Sequence, residues 1–165
     1  AEPSTSAQPP SGAAAGRHRR LLAVCVALGV LVADQVTKVG AVASLEDGPA
    51  RIVGDFARLE LSRNSGGAFS ILPWATPMLT AIAVGAAFMI VRVAARVGDR
   101  ATLLAFGGIL GGTLGNLVDR VVRDPGFPSG RVVDFVRVGG WPTFNLADAA
   151  ITIGVAVFLV RAWRA

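Results

Sequence analysis

Five aspartates lie in or beside strongly apolar stretches of this chain, where a charged side chain is costly. They are Asp34, Asp119, Asp124, Asp134 and Asp148. An ionised aspartate near the centre of a bilayer costs roughly 2.5–3.5 kcal/mol, so such residues usually have partners or a function. Asp134 and Asp148 stand at the edges of apolar runs, in the phrases VVDF and FNLAD. Two carboxylates at the mouth of a helical bundle indicate acid–base chemistry on a substrate that arrives through the membrane.

Other polar residues stand at helical spacing beside these acids. They are Lys38 four residues after Asp34, Asn116 and Arg120 flanking Asp119, and Asn145 three residues before Asp148. Residues three or four apart share a helical face. A structural network that holds the helices together explains Asp34–Lys38 and Asp119–Arg120, because in each pair a nearby base lowers the cost of the acid. Asp148 has no such base, and Asp134 has only Arg131 and Arg137 as near neighbours in the sequence. These two acids are therefore the better catalytic candidates.

The composition is that of a membrane protein. Of 165 residues, 53% are hydrophobic and only 16% are charged, whereas soluble domains carry about 25% charged residues. The net charge of +5 comes from arginines scattered through loops and helix ends. Because they form no basic stripe with interleaved aromatics, we expect no nucleic-acid partner. The one cysteine is isolated and the one histidine sits in a basic cluster, so no metal or other cofactor is expected.

Four segments are long and apolar enough to span a bilayer. They cover about 21–43, 75–97, 101–122 and 144–163. About 20 helical residues measure roughly 30 Å, the thickness of the hydrocarbon core. The first segment resembles a cleavable signal peptide, but Asp34 and Lys38 interrupt it, which favours a retained helix. Residues 1–16 are rich in Ala, Pro, Ser and Gly and predict a disordered cytoplasmic tail before a single domain over 17–165.

Arginines predict the orientation of these segments. Eight of them flank the segments on one side, which the positive-inside rule places in the cytoplasm. The two longer connections, about 44–73 and 123–143, would then lie outside. Residues 58–62 alternate polar and apolar as a strand does, and Asn64-Ser65-Gly66-Gly67 predicts a turn. The predicted fold class is therefore all-α membrane, with four transmembrane helices and a small extracytoplasmic β-sheet.

Glycines recur every four residues in the third segment, at Gly107, Gly111 and Gly115, with Gly108 and Gly112 beside them. Small residues at this spacing let helix backbones approach closely in lipid. The pattern predicts tight helix packing rather than ligand binding.

Five phrases in order identify a family resemblance. They are DQVTK at 34–38, NSGGAF at 64–69, GGTLGNLVDR at 111–120, VVDF at 132–135 and FNLAD at 144–148. In order and spacing they resemble the motifs of bacterial lipoprotein signal peptidases, over about residues 21–163. Gly67 and Thr113 stand where that family usually has alanine, and the stretch between Asp134 and Asp148 looks shorter than in many relatives.

The resemblance implies an aspartic endopeptidase of the bacterial cytoplasmic membrane, with its active site at the extracytoplasmic face. It would remove the signal peptide of prolipoproteins just before a cysteine that carries a diacylglyceryl group. By motif position Asp134 and Asp148 are the catalytic pair. The positions that support or line the site are Asp34, Lys38, Asn64, Gly66, Asn116, Asp119, Arg120, Asn145 and Ala147. We also expect contact with membrane lipid, inhibition by globomycin and a monomeric state.

Two other classes of protein fit membrane carboxylates. A small proton-coupled transporter or channel would relay protons through them, but transporters usually show internal repeats and acids near the midplane. In this chain the halves do not repeat, and the acids cluster at one end. A non-catalytic assembly factor would use the polar network as structural glue. Asp→Asn changes at positions 134 and 148 distinguish these classes from a protease. A purely structural network should tolerate the changes, whereas a protease should lose activity.

Overall fold

A computed structural model describes residues 12–66 and 75–164 of the chain, with side-chain positions from residue 16 onward. Four helices carry most of it: α1 (Gly12–Leu45), α2 (Ala75–Ala94), α3 (Arg100–Val122) and α4 (Leu146–Trp163). Three strands complete it: β1 (Ala50–Val53), β2 (Ala57–Asn64) and β3 (Val132–Val138). All four helices are long and apolar enough to cross a membrane. The predicted combination of four spans and a small sheet is confirmed.

The helix bounds differ from the predicted spans where local chemistry ends or extends a helix. Helix α1 begins at Gly12, so the predicted disordered tail is wrong for residues 12–16, where three consecutive alanines favour helix. Residues 1–11 lie outside the described residues. Helix α2 ends at Ala94, three residues before the predicted bound. Helix α4 starts at Leu146 because Asn145 is its N-cap.

Helix α3 is the centre of the bundle. More than half of its span is buried (56%), whereas only 6% of the α2 span is buried. The other three helices pack around α3 and present their remaining faces outward. In a bilayer those outer faces meet lipid, so an apolar exterior is what this environment requires.

The glycines of α3 form two contact faces. A Cβ added at Gly107 would lie 2.5 Å from the Ala23 carbonyl oxygen of α1, and Gly111 lies against Ala27 one turn further along. On the other face, a Cβ at Gly112 would lie 2.5 Å from the Ala147 carbonyl oxygen of α4. The predicted role of these glycines in close helix packing is confirmed, since no other residue fits between the backbones.

Gly107→Ala is expected to destabilise the protein by about 1–3 kcal/mol, because the new methyl group must push α1 away from α3. Gly85→Ala on α2 is the matched control, since a Cβ there meets nothing within 4 Å. Thermal unfolding of both variants in detergent checks this. Equal melting temperatures for the two would contradict the close approach of α1 and α3.

The three strands form one antiparallel sheet in the order β1-β2-β3. The β2–β3 register pairs Ser62 with Asp134 and Asn64 with Val132. Strands β1 and β2 follow α1, and β3 follows α3. The sheet therefore covers the end of the bundle where α1 and α3 finish and α4 begins, which brings Asp134 over that end.

The opposite end of the bundle is strongly basic. Its arginines are Arg17, Arg19, Arg20, Arg92, Arg96, Arg100, Arg161 and Arg164. The one acid there among the described residues is Asp99, which caps α3 and pairs with Arg161 at 3.0 Å. Hydrogen bonds from Thr102, together with Arg161, lower the pKa of Asp99 to about 2. We call this the basic end, and the other the sheet end.

Candidate active site

A buried ion network lies under the sheet end and is centred on Lys38. Its Nζ lies 2.8 Å from Asp34 Oδ2 and 2.8 Å from Asp119 Oδ2, and all three side chains are fully buried. It also donates to Asn116 Oδ1 at 2.9 Å. The Asp34–Lys38 pairing predicted from the i, i+4 spacing is confirmed. Lys38 of α1 thus ties that helix to α3 through the Asp119 carboxylate and the Asn116 amide.

Asp119 has different partners from those the sequence suggested. It pairs with Lys38 and with Arg123 Nε, at 2.7 Å, not with Arg120. Its Oδ2 also accepts from the Val133 backbone N–H at 3.1 Å. The predicted Asp119–Arg120 pairing is therefore wrong. Arg123 stands four residues after Asp119, a spacing that could have revealed it, and Asp119 fixes the start of β3 next to Asp134.

Arg120 donates hydrogen bonds to backbone carbonyl oxygens of two loops rather than to a carboxylate. Its Nη1 donates to the carbonyl oxygens of Gly130 at 2.9 Å and Ser65 at 3.3 Å. Ser65 follows β2 and Gly130 precedes β3. A buried guanidinium satisfied by backbone carbonyls has no single ionic partner, so sequence spacing could not reveal its role. Arg120 secures both connections on which the sheet rests.

The start of α4 is capped from three directions. Asn145 is the N-cap, and its side chain and that of Asp148 form a reciprocal capping box. Asp34 Oδ1, from α1, accepts from the Ala147 backbone N–H at 3.0 Å. A Cβ at Gly115 would collide with the Asp34 carboxylate, so a residue without a side chain is needed there. Together these bonds fix the position of Asp148.

Asp134 is held by two amide groups. Its Oδ2 accepts from Asn64 Nδ2 at 2.9 Å and its Oδ1 accepts from Asn145 Nδ2 at 2.7 Å. Asp148 Oδ1 accepts from Asn116 Nδ2 at 2.9 Å, and Asn145 also donates to Asn116 Oδ1 at 3.2 Å. Asn116 and Asn145 therefore connect the two acids in one hydrogen-bond network.

A turn after β2 orients Asn64. The Gly66 backbone N–H donates to Asn64 Oδ1 at 2.8 Å, which leaves the amide nitrogen directed at Asp134. Gly66 has φ +126°, and a Cβ there would lie 2.6 Å from Leu79 Cδ1. Few residues other than glycine adopt this φ. The predicted turn is present at this point; Gly67 and Phe69 of the same phrase lie outside the described residues.

The two acids face one cavity. It has a volume of about 220 Å³, and Asp134 and Asp148 both line it. Leu79 and Ala83 of α2 supply apolar walls, and Asn116 of α3 also lines the cavity. Burial, and to a smaller degree the charge of Asp148, raise the pKa of Asp134 to about 6. The cavity thus combines apolar walls with a carboxyl group that gains or loses a proton near neutral pH.

Glu60 links the sheet to the approach of α4. It accepts hydrogen bonds from Arg58 Nε at 2.7 Å, Arg137 Nη1 at 3.0 Å and Thr143 Oγ1 at 3.1 Å. Burial alone would raise the pKa of Glu60, but the hydrogen bonds from Arg58 and Arg137 outweigh it and lower the pKa below its usual value. Thr143 lies two residues before Asn145, so this cluster steadies the segment that leads into the site.

Sequence reasoning missed Gln35 and overrated Asp124. Gln35 Nε2 donates to the Gly115 carbonyl oxygen at 3.0 Å and to Asp34 Oδ2 at 3.2 Å; its place beside Asp34 was the available signal. Asp124 is exposed and takes no part in the network. Four of the five aspartates are therefore buried together or face the cavity.

No cluster of metal-binding side chains occurs within 12–66 and 75–164.

The fold and the buried carboxylates define a multi-pass membrane enzyme, and the similarities to known proteins agree. Two solved structures, each titled as a bacterial membrane enzyme, superpose with TM-scores of 0.72 and 0.73. Their sequences are 26% and 27% identical to this chain, covering 86% and 85% of it and 87% and 91% of the solved chains.

A family model described as signal peptidase (SPase) II matches residues 26–164. This chain belongs to the signal peptidase II family. Lipoprotein signal peptidases of Rhodococcus jostii and Mycobacterium tuberculosis are each 45% identical to it, covering 92% and 97% of this chain and 79% and 82% of their own length. The protein from Mycolicibacterium smegmatis is 46% identical over 97% of this chain and 68% of its own. The chain is therefore a membrane protease that acts on the signal peptides of prolipoproteins.

Proposed function

We propose that Asp134 and Asp148 are the catalytic pair of this protease and that it cleaves just before a diacylglyceryl-modified cysteine. One observation carries the proposal: both carboxyl groups line the same cavity at the sheet end. Neighbouring carboxyl groups resist ionising together, so the pair holds one proton between them. One protonated and one ionised carboxyl group can serve as the acid and the base in hydrolysis of a peptide bond by water.

The proton is assigned to Asp134. Burial raises the pKa of Asp134 to about 6, whereas Asp148 lies in the first turn of α4, where the helix dipole favours a negative charge. Ionised Asp148 takes a proton from water, and the oxygen of that water attacks the scissile carbonyl carbon. Asp134 donates its proton to the carbonyl oxygen as the tetrahedral intermediate forms. When the C–N bond breaks, the proton held by Asp148 passes to the leaving amine, and one hydroxyl group of the intermediate returns its proton to Asp134 as the new carboxylic acid forms.

The other polar residues position these two acids. Asn64, Asn116 and Asn145 donate to the carboxylates, and the Gly66 N–H orients Asn64. The remaining predicted site residues support the elements that carry the acids; they are Asp34, Lys38, Asp119, Arg120 and Ala147. Because these residues act through the positions of α4 and β3, their loss should affect folding as well as rate.

The cavity suits a substrate that is part lipid and part peptide. Leu79 and Ala83 of α2 form its apolar wall, and α2 packs mainly on α3. Acyl chains can therefore remain in the bilayer while the peptide reaches the acids. Eight arginines flank the helices at the other end, with Asp99 as the one acid there among the described residues. The positive-inside rule therefore supports the sheet end as the extracytoplasmic face of the cytoplasmic membrane. We propose that the protein works there as a monomer, in contact with lipid and without a cofactor.

A cleavage assay tests the substrate assignment. The purified protein in detergent is given one prolipoprotein with and without its diacylglyceryl group, and the mass of the product locates the cut. We expect cleavage of the lipidated form alone, before the modified cysteine, and inhibition by globomycin. Equal cleavage of both forms, or a cut elsewhere, would contradict it. Cleavage in detergent also excludes a requirement for a proton gradient, which a transporter would have.

The assigned proton predicts a pH dependence. If Asp134 acts as the acid, kcat/KM should fall as the pH rises through about 6, since its pKa is raised to about 6. Asn64→Ala removes a hydrogen bond that lowers the pKa of Asp134, so the fall in kcat/KM should occur at higher pH. Arg51→Ala, on the exposed edge of the sheet, is the control and should leave the pH at which kcat/KM falls unchanged. A rate that instead rises through pH 6 would assign the base role to Asp134.

A further inference from the structure

A second cavity lies near the basic end of the bundle, between α1 and α2. Its volume is about 240 Å³, and α3 forms its floor. Val24, Val91 and Phe106 are among its walls, one from each of the three helices. Arg20 is the one charged residue that lines it among the described parts of the chain. We call this cavity the Arg20 groove.

The groove exists because α1 and α2 each pack on α3 rather than on each other. Arginine side chains join them at the basic end: Arg20 Nη2 donates to the Ala95 carbonyl oxygen and Arg19 Nη1 to that of Gly98, both at 2.9 Å. Val24 is 52% exposed and Val91 is 53% exposed. The groove is therefore open sideways to the bilayer and carries cations at its end.

We propose that the Arg20 groove binds one anionic phospholipid, with the phosphate at Arg20 and an acyl chain along the apolar walls. A guanidinium has five N–H donors in a planar fork that suits phosphate. The Ala95 carbonyl takes one hydrogen bond from Arg20, which leaves donors for the lipid. The floor runs from Leu103 to Leu110, roughly 10 Å at 1.5 Å per residue, enough for the first part of an acyl chain.

The positive charge at the basic end favours an anionic lipid over a neutral one. The basic end has eight arginines against Asp99 among the described residues, and Arg161 already pairs with that acid. Arg20 and Arg19 have no acidic partner in the part of the chain that the structure describes. A free phosphate ion would meet the same cations but would gain nothing from the walls. A lipid with an anionic headgroup matches both parts of the groove.

Native mass spectrometry of the purified full chain tests this. The protein is released from micelles that contain phosphatidylglycerol or phosphatidylcholine with the same acyl chains, and the retained lipid is counted. We expect about fivefold tighter retention of the anionic lipid, the effect of one basic residue near a headgroup. Arg20→Gln keeps a donor for the Ala95 carbonyl but should lose the preference. Arg92→Gln, at the same end but outside the groove, should retain it.

A second pair of variants tests the apolar part. Ala94 lines the groove, so Ala94→Leu should fill it and reduce retention of both lipids, whereas Ala86→Leu, outside the groove, should not. Equal retention of the two lipids, or equal behaviour of Arg20→Gln and Arg92→Gln, would overturn the proposal. Displacement of the lipid by inorganic phosphate alone would overturn it too, because the site would then be one for a free anion. The readout does not depend on cleavage at Asp134 and Asp148.

Discussion

Asp134→Asn or Asp148→Asn is expected to lower the cleavage rate by roughly 10²–10⁴-fold, the usual contribution of an acid or base in the transition state. In each case an amide replaces the group that transfers a proton. The loss should appear in kcat as well as in kcat/KM, since proton transfer occurs only during reaction. Cleavage of a lipidated prolipoprotein, followed by gel shift, measures it.

Both variants should remain folded and inserted. Asparagine keeps one acceptor oxygen at position 148, so the hydrogen bond from the Asn145 backbone N–H can persist. At position 134 a neutral amide replaces the carboxyl group to which the proton is assigned, so no buried charge is gained or lost there. Asp124→Asn is the matched control, because Asp124 is exposed at the same end, and full activity is expected. Substantial turnover by either catalytic variant would return these acids to a purely structural role.

Lys38→Met is expected to be among the most destabilising single changes in this protein. It removes the cation that lies 2.8 Å from both fully buried acids, so that Asp34 has no cation beside it and Asp119 keeps only Arg123. Removing one partner from a buried ionic group costs about 3–5 kcal/mol, because the remaining charge is uncompensated. Thermal unfolding in detergent measures the loss.

Two comparisons separate this effect from a simple loss of side-chain packing. Adding Asp34→Asn to Lys38→Met removes one uncompensated charge and should recover part of the stability. Arg51→Ala breaks an exposed pair with Asp55, at 3.6 Å, and should change little because solvent screens such pairs. If Lys38→Met melted at the wild-type temperature, the buried network would not be holding α1 to α3.

Local patterns in the sequence were enough to predict the four helices and part of the site. Runs of about 20 apolar residues need lipid around them, so the four spans could be located from hydropathy alone. Glycines four residues apart mark one face of a helix, which identified α3 as the closely packed one. The Asp34–Lys38 pair followed from i, i+4 geometry within one helix. Each of these features involves residues that are close in the sequence, so the spacing of residue types is enough to predict it.

Contacts between residues far apart in the chain could be seen only in the folded structure. The bond from Ala147 to Asp34 joins residues 113 positions apart, and the bond from Asn64 to Asp134 joins residues 70 apart. Sequence spacing assigned Arg120 to Asp119, but the loops around Arg120 supply carbonyl oxygens and Lys38 reaches Asp119 from another helix. Spacing within a helix shows which side chains share a face, whereas the partner on the next helix depends on how closely and in which register the helices pack.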